Sequence, residues 1–246
     1  MQHKKDFVFG LQSVLETLRS DLEIEKLLIS RGTKSPGTKE AVQLAKERGI
    51  PITEVPKEKL DRTTRKNHQG IICFISAIQY FDLDGIISDC FSSGKSPLLL
   101  VLDGITDVRN LGAISRTAEC AGVNAIVVPK KGSAQITSDA MKTSSGALNH
   151  IKVCRVDNLT KTIKHLNNSG ISTVACTEKT TESIFKQDFE VPCAIIMGSE
   201  EDGISTDNLK VCSHRGSLPM YGEIGSLNVS VAAAVAIYEA VRQRES

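Results

Sequence analysis

The sequence predicts an α/β protein of two domains, on three observations. Short apolar runs of strand length alternate with segments of helical periodicity along the chain. One run, Leu98-Leu99-Leu100-Val101-Leu102, is apolar throughout, as a strand buried on both faces requires. A stretch rich in Gly, Ser and Pro separates a first block of 80 residues from the rest. Strands alternating with helices imply a parallel sheet covered on both sides.

Taken in order, residues 7–18 place apolar side chains at 7, 8, 11, 14, 15 and 18, the spacing of one helix face. Residues 24–29 read as a strand, 31–38 as a turn, and 39–48 as a helix stopped by Gly49. A strand at 50–55, a helical turn at Lys57–Thr63 and a strand at 70–77 complete the first domain, 1–80. Segment 81–97, with Gly85, Ser88, Ser92, Ser93, Gly94 and Pro97, reads as a linker. In the second domain, 98–246, strands are expected at Leu98–Leu102, 125–128, 151–156, Ser172–Cys176 and Cys193–Met197. Helices are expected at 111–121, Leu159–Asn168 and 227–243. The last is alanine-rich, with Ala232, Ala233, Ala234 and Ala236. Small side chains let neighbours approach closely, so deep burial is expected, against its own domain or a second subunit.

Composition excludes more than it assigns. The longest apolar run, 229–237, is broken by Ser230, well short of the ~18–20 residues of a membrane span. The first six residues, Met-Gln-His-Lys-Lys-Asp, have no apolar core behind them, so no secretory signal is expected and the cytoplasm is the expected compartment. Seven scattered cysteines without a C-x-x-C pair read as buried small hydrophobes, and the five histidines lack ligand spacing, so no metal is expected. Net charge divides as +4 over residues 1–80 and −3 over 81–246. A mildly basic first domain suits phosphate binding, although ordinary surface scatter gives the same split.

Three segments place polar groups in loops just past apolar strands, where open α/β sheets bind ligands. In 103–118, Asn110 is placed to cap a helix that carries Arg116; a solvent-exposed pair of Arg116 with Glu119 would account equally for the spacing. In 197–203, Gly198 and Gly203 bracket Glu200, Glu201 and Asp202, and glycine permits close backbone approach. An acidic surface turn would leave the same trace. In 218–230, Ser226 or Asn228 would serve as the cap of the final helix. No G-x-G-x-x-G follows a strand, and neither a G-x-x-x-x-G-K-[ST] loop nor a G-x-S-x-G elbow occurs, so dinucleotide, NTPase and hydrolase readings lack their anchors.

The stretches N-L-G-A-I-x-R-T-A (110–118), I-M-G-S-E-x-x-G-I (196–204) and L-P-M-x-G-x-x-x-S-L-N-V-S-V-A (218–232) resemble the signature motifs of the SpoU, or TrmH, family of the SPOUT superfamily. F-G-L-Q-S-V-L-E (9–16) and N-H-Q-G-I (67–71) resemble that family's L30e-like substrate-binding domain. The resemblance implies a 2′-O-ribose methyltransferase that uses S-adenosylmethionine, is a homodimer, and has its C-terminal domain tied in a trefoil knot. It is nearest to the members that methylate a guanosine in the peptidyl-transferase region of 23S rRNA. Carried over, it makes Arg116, Asn110, Glu200, Ser226 and Asn228 the catalytic set and Gly198, Leu218, Leu227 and Thr177 the cofactor contacts. Arg62, Arg65, Lys66, His68 and Gln69 form the expected RNA patch, with a solvated loop as the alternative. Two departures stand out: Val108 where the family has proline, and Glu201 where it has glycine. Methylation of tRNA or of another rRNA nucleotide, and a non-catalytic RNA-binding protein, are the competing functions.

Overall fold

A computed structural model describes residues 7–245. The expectation about a secretory signal, and His3, fall on residues 1–6, outside the described ones. The chain forms two compact units, one of residues up to Gln79 with Gln135–Ser138, the other of Tyr80–Ala134 with the residues from Asp139 on.

The first unit runs β1 (Phe7–Phe9), α1 (Leu11–Arg19), β2 (Ile24–Ser30), α2 (Pro36–Glu47), β3 (Ile52–Val55), α3 (Lys57–Thr63) and β4 (Ile71–Ile75). Its sheet has the order β1-β4-β2-β3, with β4 antiparallel to both neighbours and β2 parallel to β3. The helix expected over 7–18 is split. Gly10, at φ 86°, turns the chain, and the three residues before it pair with β4 instead. Propensity explains the outcome, since Phe and Val favour the pleated surface. Likewise α2 starts three residues earlier than expected, because Ser35 accepts from the Thr38 N–H and Pro36 occupies the first turn, where its missing N–H costs nothing. One sheet face buries Val14, Leu15 and Leu18 of α1 and Ala41 and Ala45 of α2. The other packs Leu28, Val55 and Ile72 under Leu60 of α3.

The second unit opens with a correction. Segment 81–97 is no linker: it holds α4 (Leu83–Ser92), capped by Asp82, whose side chain accepts from the Gly85 N–H at 2.8 Å. Leu83, Ile86, Ile87 and Cys90 are buried in the main core, and three Leu/Ile side chains at about 1.5–3 kcal/mol each outweigh the local glycine and serine signals. There follow β5 (Leu98–Leu102), α5 (Val108–Cys120), β6 (Ala125–Pro129), α6 (Ser138–Thr143), β7 (Lys152–Val156), α7 (Leu159–Asn168), β8 (Ser172–Cys176), β9 (Cys193–Met197), α8 (Thr206–Val211), β10 (His214–Gly216) and α9 (Val229–Arg244).

Six parallel strands form one sheet in the order β10-β8-β9-β5-β6-β7. Strand order reverses between β5 and β9, so the loops leaving these two neighbours open side by side. α9 packs on α5 and β9 through Ala233, Ala236, Ile237 and Ala240. Its burial is one-sided: Val231 and Tyr238 are exposed, as are Tyr221 at 95% and Ile224 at 79% in the preceding loop. Arg244 fastens the end of α9 by donating to the carbonyls of Phe189, Ser96, Pro97 and Val191 at 2.7–3.1 Å.

Candidate active site

The adjacency of β5 and β9 brings distant residues together. Asn110 Nδ2 donates to Glu200 Oε1 at 3.1 Å, and Asn228 Nδ2 donates to Asn110 Oδ1 at 3.1 Å and also to Glu200 Oε1. The Val229 N–H, first of α9, points at the same carboxylate oxygen at 3.4 Å. Negative charge at a helix N-terminus is favourable, so Glu200 ties the loop after β9 to the starts of α5 and α9. Asn228 caps α9, its Oδ1 accepting from the Ser230 N–H at 2.9 Å. Asn110 does not cap α5. That helix begins at Val108, with Asp107 accepting from the Arg109 N–H at 2.7 Å. Asn110 therefore sits in the first turn with its amide free for Glu200. Val108 stands at the first helical position, where proline is also accepted, so this departure from the family pattern costs the loop nothing.

Beside this cluster lies a cavity of about 910 Å³. Thr177, Gly198, Leu218 and Leu227 all line it, as do Glu200, Ser226 and Asn228. Gly198 is required by the fold itself: a Cβ there would lie 2.1 Å from Gly203 C and Ile204 N. The backbone crosses directly over it because Ser199 and Gly203 exchange two hydrogen bonds, at 3.2 and 3.1 Å, closing the intervening acids into a tight loop. Thr177 is buried, its N–H donating to Gly216 O at 2.9 Å and its Oγ1 accepting from the Lys179 N–H at 3.2 Å. Asp103, just past β5, holds α8, accepting from the Ser205 N–H and Asn208 Nδ2, both at 2.8 Å.

The lining has a definite chemistry. Four carboxylates, Glu178, Glu200, Glu201 and Asp202, face one lysine, Lys179, while Met197, Leu218, Met220, Leu227, Val229 and Ala232 supply apolar walls. Such a site suits a cationic ligand with a flat apolar part. Burial, reinforced by Glu178, pushes the Cys176 thiol up to about 11, so this cysteine is no nucleophile at neutral pH. Glu178 and Lys179 escaped sequence reading, although they directly follow β8, the signal that had pointed to Thr177.

Arg116 is not part of the cluster. It lies six residues beyond Asn110, about 120° around the helix, exposed, with Nη1 donating to Ser145 Oγ at 3.4 Å. Neither Glu119 nor any other carboxylate pairs with it among the described residues. Among those residues, too, no group of His, Cys, Asp and Glu is placed to hold a metal.

In the first unit the expected RNA patch divides. Arg65, Lys66 and Gln69 rim a hollow of about 530 Å³, and Arg62 is exposed on α3. His68 lines the same hollow but is turned inward. It is 4% exposed, its Nε2 facing Asp61 Oδ1 at 2.8 Å while its Nδ1 accepts from the Gly70 N–H at 3.0 Å. Its ring braces the loop. Gln69 is partly engaged: at φ 51° it turns inward, and its Oε1 accepts from the Leu11 N–H at 2.8 Å, supplying the cap α1 otherwise lacks.

These features define a two-unit α/β protein whose ligand cavity is built from the loops after β8, β9 and β10. Residues 97–238 match the SpoU rRNA methylase family and residues 7–81 the RNA 2′-O-ribose methyltransferase substrate-binding family. The chain thus belongs to the SpoU/TrmH family of RNA methyltransferases. It is 36% identical over 244 residues to YacO of Bacillus subtilis, assigned to the TrmH family of tRNA/rRNA methyltransferases, covering 99% of this chain and 98% of that one. Among solved structures it is similar to the SpoU methyltransferase AviRb of Streptomyces viridochromogenes in complex with AdoMet, at TM-score 0.61 and 23% identity, over 97% and 90% of the two chains. It is also similar to the TrmH/SpoU tRNA-modifying enzyme of A. aeolicus, at TM-score 0.56 and 28% identity, over 61% and 77%.

Proposed function

We propose that this methyltransferase uses S-adenosylmethionine to methylate the 2′-oxygen of a ribose in RNA, a guanosine in the peptidyl-transferase region of 23S rRNA being the target. The observation that carries the reading is the meeting of Asn110, Glu200 and Asn228 at an acid-lined cavity walled by Gly198, Leu218, Leu227 and Thr177. The cofactor carries a net positive charge and an adenine, which matches four carboxylates against one lysine and the apolar walls. When bound, it supplies an electrophilic methyl group and its own leaving group.

The protein then has two tasks: to hold the ribose oxygen in line and to ease the loss of its proton. Asn110, Glu200, Ser226 and Asn228 orient the nucleotide. Arg116, unpaired with any carboxylate among the described residues, contacts the RNA phosphate or the ribose oxygen and stabilises developing alkoxide charge. A guanidinium with pKa above about 12 is a poor proton acceptor, so its role is electrostatic. Arg62, Arg65, Lys66 and the free amide of Gln69 hold RNA from the first unit. The match of residues 7–81 to an RNA substrate-binding family supports this role for the first unit.

The same reading includes a homodimer, a cytoplasmic location and the trefoil knot. Exposed Tyr221, Ile224, Val231 and Tyr238 support the dimer as apolar surface for a second copy to cover.

Arg116→Ala is expected to abolish methyl transfer while calorimetric titration with S-adenosylmethionine stays unchanged; retained methylation refutes the assignment. Absence of any heat with the wild type would favour a non-catalytic RNA-binding protein. Ribose-methylation mapping of total rRNA and tRNA, with and without the gene, reads out the target.

A further inference from the structure

One face of the first unit's sheet is only half covered. Cross-strand pairing sets Phe7 beside Phe74 and Phe74 beside Lys26, a row of two rings and an ammonium running across three strands. Phe9 joins them on the same face, with ring centroids 6.2 Å from Phe7 to Phe9 and 5.8 Å from Phe7 to Phe74. α3 covers the other end through Leu60, over Leu28, Val55 and Ile72, and leaves all three phenylalanines partly exposed.

Charge on this face is unbalanced. Lys26 Nζ lies 4.9 Å from the centre of the Phe74 ring. Burial, and then the positive charge of Lys59 on α3, lower its pKa, with the negative charge of Glu25 opposing them. Among the described residues neither lysine has a carboxylate in ion-pair contact. Two lysines against one glutamate leave this face with net positive charge, which an anion would balance, and a flat aromatic partner would cover the rings. One ligand supplies both: a nucleotide whose base is not paired.

Resting on the RNA-methyltransferase reading above, we infer that this face binds an unpaired stretch of the substrate RNA. A base stacks against Phe7 and Phe74, and a phosphate lies between Lys26 and Lys59. Stacking of this kind tolerates any sequence, because every base has a π-face. The face therefore selects for single-strandedness, while Arg62, Arg65 and Lys66 gather phosphates elsewhere. It would favour a target nucleotide flanked by a loop or bulge over one within a continuous duplex.

The test is fluorescence anisotropy of the full chain with a short labelled single-stranded RNA and with the same RNA annealed to its complement, over a range of salt. Phe74→Leu, which keeps an apolar filler but removes the ring, is expected to weaken single-strand binding by about 5- to 150-fold, and Phe74→Tyr to restore it. The pair Lys26→Gln and Lys59→Gln, the first half-buried and the second exposed, should reduce the slope of log K against log salt by ~0.7, for the one phosphate no longer neutralised. Affinity and slope unchanged in every variant overturn the inference and leave the enzyme reading standing. Equal losses for single strand and duplex overturn the selection for unpaired RNA. A wild type that binds neither RNA refutes the enzyme reading itself. A change of sedimentation mass in the lysine variant, with RNA affinity intact, assigns the face to a second copy of the chain and overturns the inference.

Discussion

Replacing Gly198 by alanine tests the cavity at its most constrained point. The added methyl would stand 2.1 Å from Gly203 C and Ile204 N and 2.4 Å from Gly203 O, all backbone atoms. Ordinary contact begins near 3.4 Å, so the crossing strand must retreat by about 1.3 Å. No rotamer change can absorb this, because no side chain is involved. Retreat at that point breaks the paired hydrogen bonds of Ser199 with Gly203 and shifts Glu200 away from Asn110 and Asn228. Overpacking of this kind costs about 1–3 kcal/mol, and for a chain of this size each kcal/mol lowers Tm by about 2–4 °C. Thermal melting should therefore fall by several degrees, and calorimetric affinity for S-adenosylmethionine by at least tenfold. Gly225→Ala is the control: it lines the same cavity, yet nothing lies within 4 Å of its added Cβ, so its melting temperature should match or exceed the parent's. A Gly198→Ala protein with parental melting temperature and parental affinity would refute the reasoning.

Arg244→Met should lower stability in urea by about 1.5–3 kcal/mol, because four carbonyls lose a charged donor; Arg244→Lys should not restore it, since an ammonium lacks the planar fork. His68→Ala should destabilise by about 1–3 kcal/mol by stranding the Gly70 N–H, yet leave the salt dependence of RNA binding as it was, whereas Arg65→Gln with Lys66→Gln should flatten it. Burial pushes Cys73 and Cys154 up to about 12 and Cys193 and Cys212 to about 11, from an ordinary 9.0. These folded-state values exceed the unfolded one, so the contribution is complete below about pH 9 and is lost as pH rises towards 11–12, where the unfolded chain has already shed its thiol protons. Melting temperature should fall through that window, and iodoacetamide at neutral pH should label exposed Cys120 before the buried thiols.

Where sequence and structure agree, one physical signal dominates. β5, β8, β9 and α7 fall at the expected bounds because each is a clean apolar run or a strong 3.6-residue stripe with turn residues on both sides. β10 and α6 escaped because they are short and polar: His-Arg-Gly pairs with β8 only through its backbone. α4 was hidden by Gly85 and its serines, although Asp82 and the buried Leu83, Ile86, Ile87 and Cys90 carried a capped helix stripe all along. In the site, motif order was enough to bring Asn110, Glu200 and Asn228 together. It could not reveal that Asp107, rather than Asn110, caps α5, because aspartate and asparagine compete for that role on equal terms. The inward turn of His68 was likewise illegible, since it depends on Asp61 one helix away.

The strand order also has a consequence in time. β5 is apolar on both faces and needs β9 along its whole length, from the pairing of Leu98 with Cys193 to that of Leu102 with Met197. At ~5–20 residues per second of synthesis, a nascent chain exposes that edge for on the order of 5–20 s before β9 exists. During this interval β6 can protect only one side of β5, and the other is a template for any passing strand. Slow, late closure of the sheet centre makes the growing chain a natural client for chaperones, and a faster ribosome a help rather than a hazard.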